Sequence, residues 1–315
     1  VTIRSALWLP GSPGHWTNVH DKTTVTPPPP PTGFQFTVLV GGNGVDGRSQ
    51  EQLYNSVRAK LGRDLGGRIK YFDYGNGINA ALNNKAATPS STEPLPVFCI
   101  KSYDAAELTA WLDTLTTDAK KCILVWNQEF YSTSQAAWDT YNASYLALKN
   151  LLAGHPNGAR VRLQAVSAMS AHRNNPGFFA YVDEANITYW GADTYNAKAN
   201  AYTAVQCFED QRIAFETMKA NNPNLKWHIA EYGLSRLKDP STSTYYTGPE
   251  RVAKMQAHID WLLSHDCSGL AYWAVDNSSA AEPVKDWSID KGSAADDYFA
   301  AYLADLLDAY PMAVF

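Results

Sequence analysis

The chain has 315 residues, 45% hydrophobic and 18% charged, with a formal net charge of -5. So acidic a chain lacks the net positive surface that a polyphosphate backbone or an anionic membrane calls for, which argues against both as partners. No run approaches the roughly 18 uninterrupted apolar residues of a membrane-spanning helix. The 10 Trp and 18 Tyr exceed what is usual for a core and suit a surface that stacks on flat ligands such as sugar rings. The four cysteines, Cys99, Cys122, Cys207 and Cys267, show no CxxC or Cys/His ligand spacing, so buried free thiols are expected and no metal or cofactor.

Residues 1–31 stand apart. They end in five prolines, Pro27 to Pro31, a run that adopts extended polyproline II and acts as a semi-rigid spacer. The stretch before it is too short for its own core, so it is expected to be an arm through which the chain could be tethered, with a boundary near Thr32.

From residue 32 onward, short apolar runs alternate with helical patterns. FTVLVGG (36–42) precedes QEQLYNSVRAKL (50–61), RIKYFDYG (68–75) precedes a short helical segment at 78–84, and PVFCIKSY (96–103) precedes DAAELTAWLDTL (104–115). In the last, Asp104 takes the N-cap position and Glu107 stands three residues on, a capping-box-like start. KCILVWNQE (121–129) leads to a long helix over 135–155, and ARVRLQAVSAM (159–169) to a weak one over 176–182. The rhythm continues with ITYWGADTY (187–195) and 203–222, WHIAEYGL (227–234) and 249–265, and GLAYWAVD (269–276) and 293–310. Eight strand–helix pairs in strict order mean parallel strands with right-handed crossovers, and near-continuous apolar strands mean both sheet faces are covered. GGNGVDGR (41–48) has neither the GxGxxG spacing of a dinucleotide fold nor the ending of a phosphate-binding loop. The expected fold is therefore α/β, a closed (β/α)8 TIM barrel spanning 32–315.

Active sites of such barrels form at the C-terminal ends of the strands. Those ends carry Asp73, Lys101, Trp126, Asn127, Gln128 and Glu129, then Asp193 and Tyr195, Glu231 and Tyr232, and Trp273 and Asp276. Glu129 closes one apolar run and Glu231 interrupts another; a carboxylate there is costly unless it is solvated, paired or used. Strands four and seven lie across the barrel mouth from one another, which suits a catalytic pair.

LVWNQEF, WGADTYN, HIAEYG and AYWAVDN resemble the strand-four, -six, -seven and -eight motifs of the clan of retaining (β/α)8 glycoside hydrolases. The resemblance implies Glu129 as acid/base and Glu231 as nucleophile in a double displacement on a β-linked poly- or oligosaccharide. It also implies hydroxyl contacts from Gln128, Asn127, Asp193 and Asp276 and a sugar-facing Trp273. Many members place Asn before the acid/base, and the family 26 mannanases place His; here Gln128 stands there, with Asn127 one position back. The Arg that often supports the nucleophile from strand two is not evident in RIKYFDYG. Tyr195 or Tyr232 is expected to hydrogen-bond the nucleophile, and the protein is expected to be an extracellular monomer. Two other readings remain: a catalytically silent carbohydrate-binding or assembly barrel, and metal-assisted hydrolysis through Asp73, Asp193 and His172 or His228.

Overall fold

A computed structural model describes residues 33–41, 47–72, 95–116, 121–168, 182–195, 204–239, 242–279 and 283–311. The proline run, the boundary near Thr32, Asp73, His172 and the helices expected at 78–84 and 176–182 lie outside the described residues.

Eight of the strands form one parallel sheet: β1 (Gln35–Leu39), β2 (Gly67–Phe72), β3 (Leu95–Ile100), β4 (Cys122–Trp126), β5 (Val161–Ser167), β6 (Tyr189–Tyr195), β7 (Lys226–Gly233) and β10 (Gly269–Trp273). Their lateral order, β1-β10-β7-β6-β5-β4-β3-β2, follows the chain around the sheet and brings its two ends together. There Val38 bridges Gly66 in the parallel sense, and the Val38 amide donates to the Leu65 carbonyl at 2.9 Å. Gly66, at φ +83°, makes this closure possible: a Cβ would press on the Thr37 hydroxyl at 3.0 Å and on Leu307 at 3.2 Å. The helices are α1 (Gln50–Leu61), α2 (Ala105–Asp113), α3 (Gln135–Gly154), α4 (Ala204–Lys219), α5 (Gly248–Leu263) and α6 (Ala294–Ala309). The architecture is the (β/α)8 barrel that the alternation predicts.

Local sequence explains where the helices begin. Ser49 with Gln52, Thr247 with Glu250 and Ser293 with Asp296 form reciprocal capping boxes at α1, α5 and α6, and a proline follows within the first turn of α5. At α2, Asp104 accepts from the amides of Ala106 and Glu107. One element escaped the sequence reading: β8 (Leu237–Asp239) pairs antiparallel with β9 (Thr244–Tyr245) in the segment after β7.

Alternation sorts the strand side chains into two layers. Thr37, Leu39, Ile69, Val97, Ile123, Val125, Gln164, Val166 and His228 line the interior. Trp190, Trp227, Tyr272 and Phe98, all nearly inaccessible, pack outward under the helices, each worth about 1.5–3 kcal/mol of burial. β7 breaks this alternation. Against β6 its partners are Ala192↔Ile229 and then Asp193↔Glu231; against β10 they are Leu270↔Ile229 and then Tyr272↔Tyr232. Both registers accommodate one extra residue, Ala230, in β7: a β-bulge beside the barrel mouth.

Candidate active site

The bulge decides which way Glu231 points. Counting by twos from the interior-facing His228 would turn Glu231 outward; the extra residue brings it back inside, where it lines the interior with Gln128, and sends Tyr232 out. Glu231 is 4% exposed. Its carboxylate is held from two sides: Gln128 Nε2 donates to Oε1 at 2.6 Å, and the Tyr195 hydroxyl donates to Oε2. A carboxylate that only accepts, met by two donors, is set up in its ionised form.

Both donors are themselves fixed. Gln128 Oε1 accepts from the Cys99 thiol at 2.6 Å, which orients the amide so that its nitrogen faces Glu231. The Tyr195 ring stacks on Trp287, centroids 4.4 Å apart and planes at 26°. Trp287 in turn covers Gly233, where a Cβ would strike the indole at 2.6 Å. The Trp287 segment is tied down by buried polar contacts. Tyr272 Oη donates to the Trp287 carbonyl at 2.9 Å, Arg251 donates to Ser288 O at 3.1 Å and to Tyr272 Oη at 2.8 Å, and Arg236 bridges Asp286 and Asp296 at 2.9 Å. Sequence reading missed Trp287 and Cys99; the first lies in a loop with no period, and the second carries no signal beyond an inward position in β3.

Glu129 follows β4 in a tight turn. Asn127 and Glu129 adopt φ of 44° and 56°, a conformation that non-glycine residues hold at a cost of about 1–3 kcal/mol each and that clusters at functional sites. The turn is pinned by Asn127 N to Ile100 O at 2.6 Å and Glu129 N to Val166 O at 3.0 Å, so β3 and β5 both anchor it. Glu129 is solvent-exposed at the mouth, whereas Glu231 is buried. Asp193, opposite Glu231 in register and 4% exposed, adds a third carboxyl. Burial first, then the charges of Glu231 and Glu129, push its pKa well above the carboxylate range. The Cys99 thiol is likewise pushed up, by burial and then by Glu231, Asp193 and Glu129. The three carboxyls thus converge on one point at the C-terminal mouth.

Other expected contacts are placed differently. Tyr232 is fully buried in the outer layer, its hydroxyl bonded to His258 Nδ1 and its ring against Phe208 and Tyr272; the bulge removes it from the site. Trp126 shares the outward face of Leu124, opposite the interior-lining Ile123 and Val125, and meets Tyr103 edge-on at 5.6 Å. Asp276 is engaged by Lys291 at 2.8 Å and by the Ser278 amide at 2.9 Å. Although burial opposes it, these contacts hold its carboxyl below the usual range. Trp273 faces inward and lies over Gly41, where a Cβ would meet its ring at 2.5 Å. Lys101 is exposed just past β3. His228 sits deep in the interior against Gly191, and among the described residues no group of three or more His, Cys, Asp or Glu could hold a metal. All four cysteines are buried free thiols.

No family model and no curated protein matches the chain. Solved structures match in fold. A ruminal GH26 endo-beta-1,4-mannanase aligns with TM-score 0.50 at 11% identity, covering 89% of this chain and 66% of its own. A β-glucuronidase from Ruminococcus gnavus aligns at 0.52 and 8%, covering 87% of this chain and 50% of its own. A beta-1,3-glucanosyltransferase of Rhizomucor miehei aligns at 0.51 and 9%, covering 80% and 92%. At such identities the likeness is one of fold: this chain has the (β/α)8 barrel found in these carbohydrate-active enzymes.

Proposed function

We propose that the protein is a retaining glycoside hydrolase that cleaves a β-linked poly- or oligosaccharide. The observation that carries the reading is the arrangement around Glu231: a buried carboxylate at the end of β7 with Gln128 and Tyr195 donating to its two oxygens, facing the same mouth as the exposed Glu129 at the end of β4. The (β/α)8 neighbours named as mannanase, glucuronidase and glucanosyltransferase support the substrate class.

In this reading Glu231 attacks the anomeric carbon and the C–O bond to the leaving sugar breaks while Glu129 protonates the departing oxygen. Water, deprotonated by Glu129, then displaces Glu231 and restores the β configuration. The donors on Glu231 hold it in line without reorganisation at the moment of attack. Asp193, kept protonated by its surroundings, can donate to a sugar hydroxyl or to a neighbouring carboxylate. The test is a panel of soluble β-mannans, β-glucans and xylans assayed for new reducing ends, with Glu231→Gln as control. Turnover that the control abolishes supports the proposal. Binding without turnover on every polymer would replace it with the silent carbohydrate-binding barrel.

A further inference from the structure

The opposite end of the barrel carries a second polar site. A cavity of about 280 Å³ opens at the N-terminal ends of β5, β6, β7 and β10, lined among others by Arg162, Tyr189, Lys219, Lys226, Ser268 and Asp266. Arg162 forms its inner wall. The residue is 8% exposed; its guanidinium lies 3.8 Å over the Tyr189 ring and donates to Gln35 Oε1 at 3.1 Å, while its Nε has no hydrogen-bond partner. Lys226 Nζ approaches the same ring at 5.4 Å, and Lys219 Nζ stands against the neighbouring Phe215 at 5.1 Å.

Three cations therefore face one cavity, and one of them is buried. Among the described residues no carboxylate pairs with Arg162. Glu231 is at the other end of the barrel, and Asp266 lines the cavity without an ion pair to any of the three. The strain shows in the surroundings: burial lowers Arg162 to about 10. Burial and then the Arg162 charge hold the adjacent His228 well below its ordinary value, so the imidazole is neutral and balances nothing. A buried guanidinium without a counter-charge is costly, and its planar fork is shaped for an oxyanion.

We propose that this cavity is an anion-binding site for a carboxylate or phosphate-like oxyanion, held by Arg162 and closed by Lys219 and Lys226. The occupant is a free small anion from solution, reached through the open face of the cavity that Lys219 and Lys226 flank.

The test uses the full chain and inorganic phosphate at fixed ionic strength, with chloride as reference, read by calorimetric titration and by melting temperature. The expected result is saturable binding to the full chain and a melting temperature that climbs with phosphate. Lys219→Gln with Lys226→Gln, both exposed and safe for folding, should weaken phosphate by about tenfold or more. Arg162→Gln should abolish binding if it folds. The proposal is overturned if the full chain does not bind phosphate, or if binding is indifferent to the two lysines.

Discussion

His228 and Glu231 both face the barrel interior although they stand three positions apart in one strand. An odd separation normally puts two side chains on opposite faces, and the bulge at Ala230 is what reconciles them. Deleting Ala230 should restore plain alternation and drive the Glu231 carboxylate toward the helix layer, at a cost of several kcal/mol. Ala230→Gly keeps the extra residue and should keep activity within a few fold. Hydrolysis rates and denaturation midpoints of the two variants, side by side, check this; equal behaviour would mean the bulge does not aim Glu231.

Tyr195 is fixed by Trp287, so the pair should act as one unit. Tyr195→Phe removes a hydrogen bond to a charged acceptor, about 1.5–3 kcal/mol, and should lower kcat by roughly 10- to 100-fold with stability little changed. Trp287→Leu lets the ring drift and should give a similar loss in kcat. A double-mutant cycle should show the two effects to be strongly non-additive. Additive losses would separate the residues.

The sequence made the eight strands and most of the helices legible because each strand is a near-continuous apolar run and each barrel helix keeps a three- and four-residue period. It also made Glu129 and Glu231 legible, as charges where apolar runs stop. Periodicity could not say which tyrosine serves Glu231: Tyr195 and Tyr232 each lie at a strand end, and one inserted residue, Ala230, settles it. β8 and β9 are three and two residues long, too short for any pattern. Trp287 reaches the site from a loop through tertiary contacts with Gly233 and Tyr195, which leave no local trace in sequence.

Asp193 predicts a pH dependence of known sign. Its pKa is raised in the folded protein, so the unfolded chain ionises first as pH rises. The stability associated with the protonated carboxyl is therefore fully present below the ordinary carboxylate value and is lost as pH climbs through the raised one. Asp193→Asn cannot ionise and escapes that loss. It should be more stable than the parent at pH 7, with the margin closing by about pH 4, while activity falls. Denaturant titrations at the two pH values measure it; a margin independent of pH would assign the effect to packing.

Tyr232 and His258 give the opposite combination, stability without catalysis. Burial and then Lys254 lower His258 to about 3, so it stays neutral in the folded protein while the unfolded residue protonates at its usual value. Stability should accordingly fall as pH drops from about 6.5 toward 3, and His258→Gln should flatten that slope. Tyr232→Phe leaves the buried ring nitrogen without its hydroxyl partner and should cost about 1–3 kcal/mol at pH 7, with kcat unchanged. A large loss of kcat would return Tyr232 to the site.

Glu129 and Glu231 should separate kinetically, because only one of them must supply a proton. Both Glu→Gln variants are near-isosteric and should fold normally. Glu231→Gln removes the nucleophile, so turnover should vanish on every substrate, whatever its leaving group. Glu129→Gln should still react with an aryl glycoside whose phenolate departs unaided, and should then stall, since no base activates water to release the glycosyl group from Glu231. A burst of phenolate about equal to the enzyme concentration, followed by a slow steady state, is the expected signature. Azide needs no base and should restart this variant, giving a β-glycosyl azide with retained configuration. Rescue of Glu231→Gln instead, with an α-azide product, would be the result for a nucleophile at Glu231 whose site admits the anion directly. Rescue of Glu231→Gln with retention, while Glu129→Gln stays inactive on the activated substrate, would reverse the two roles.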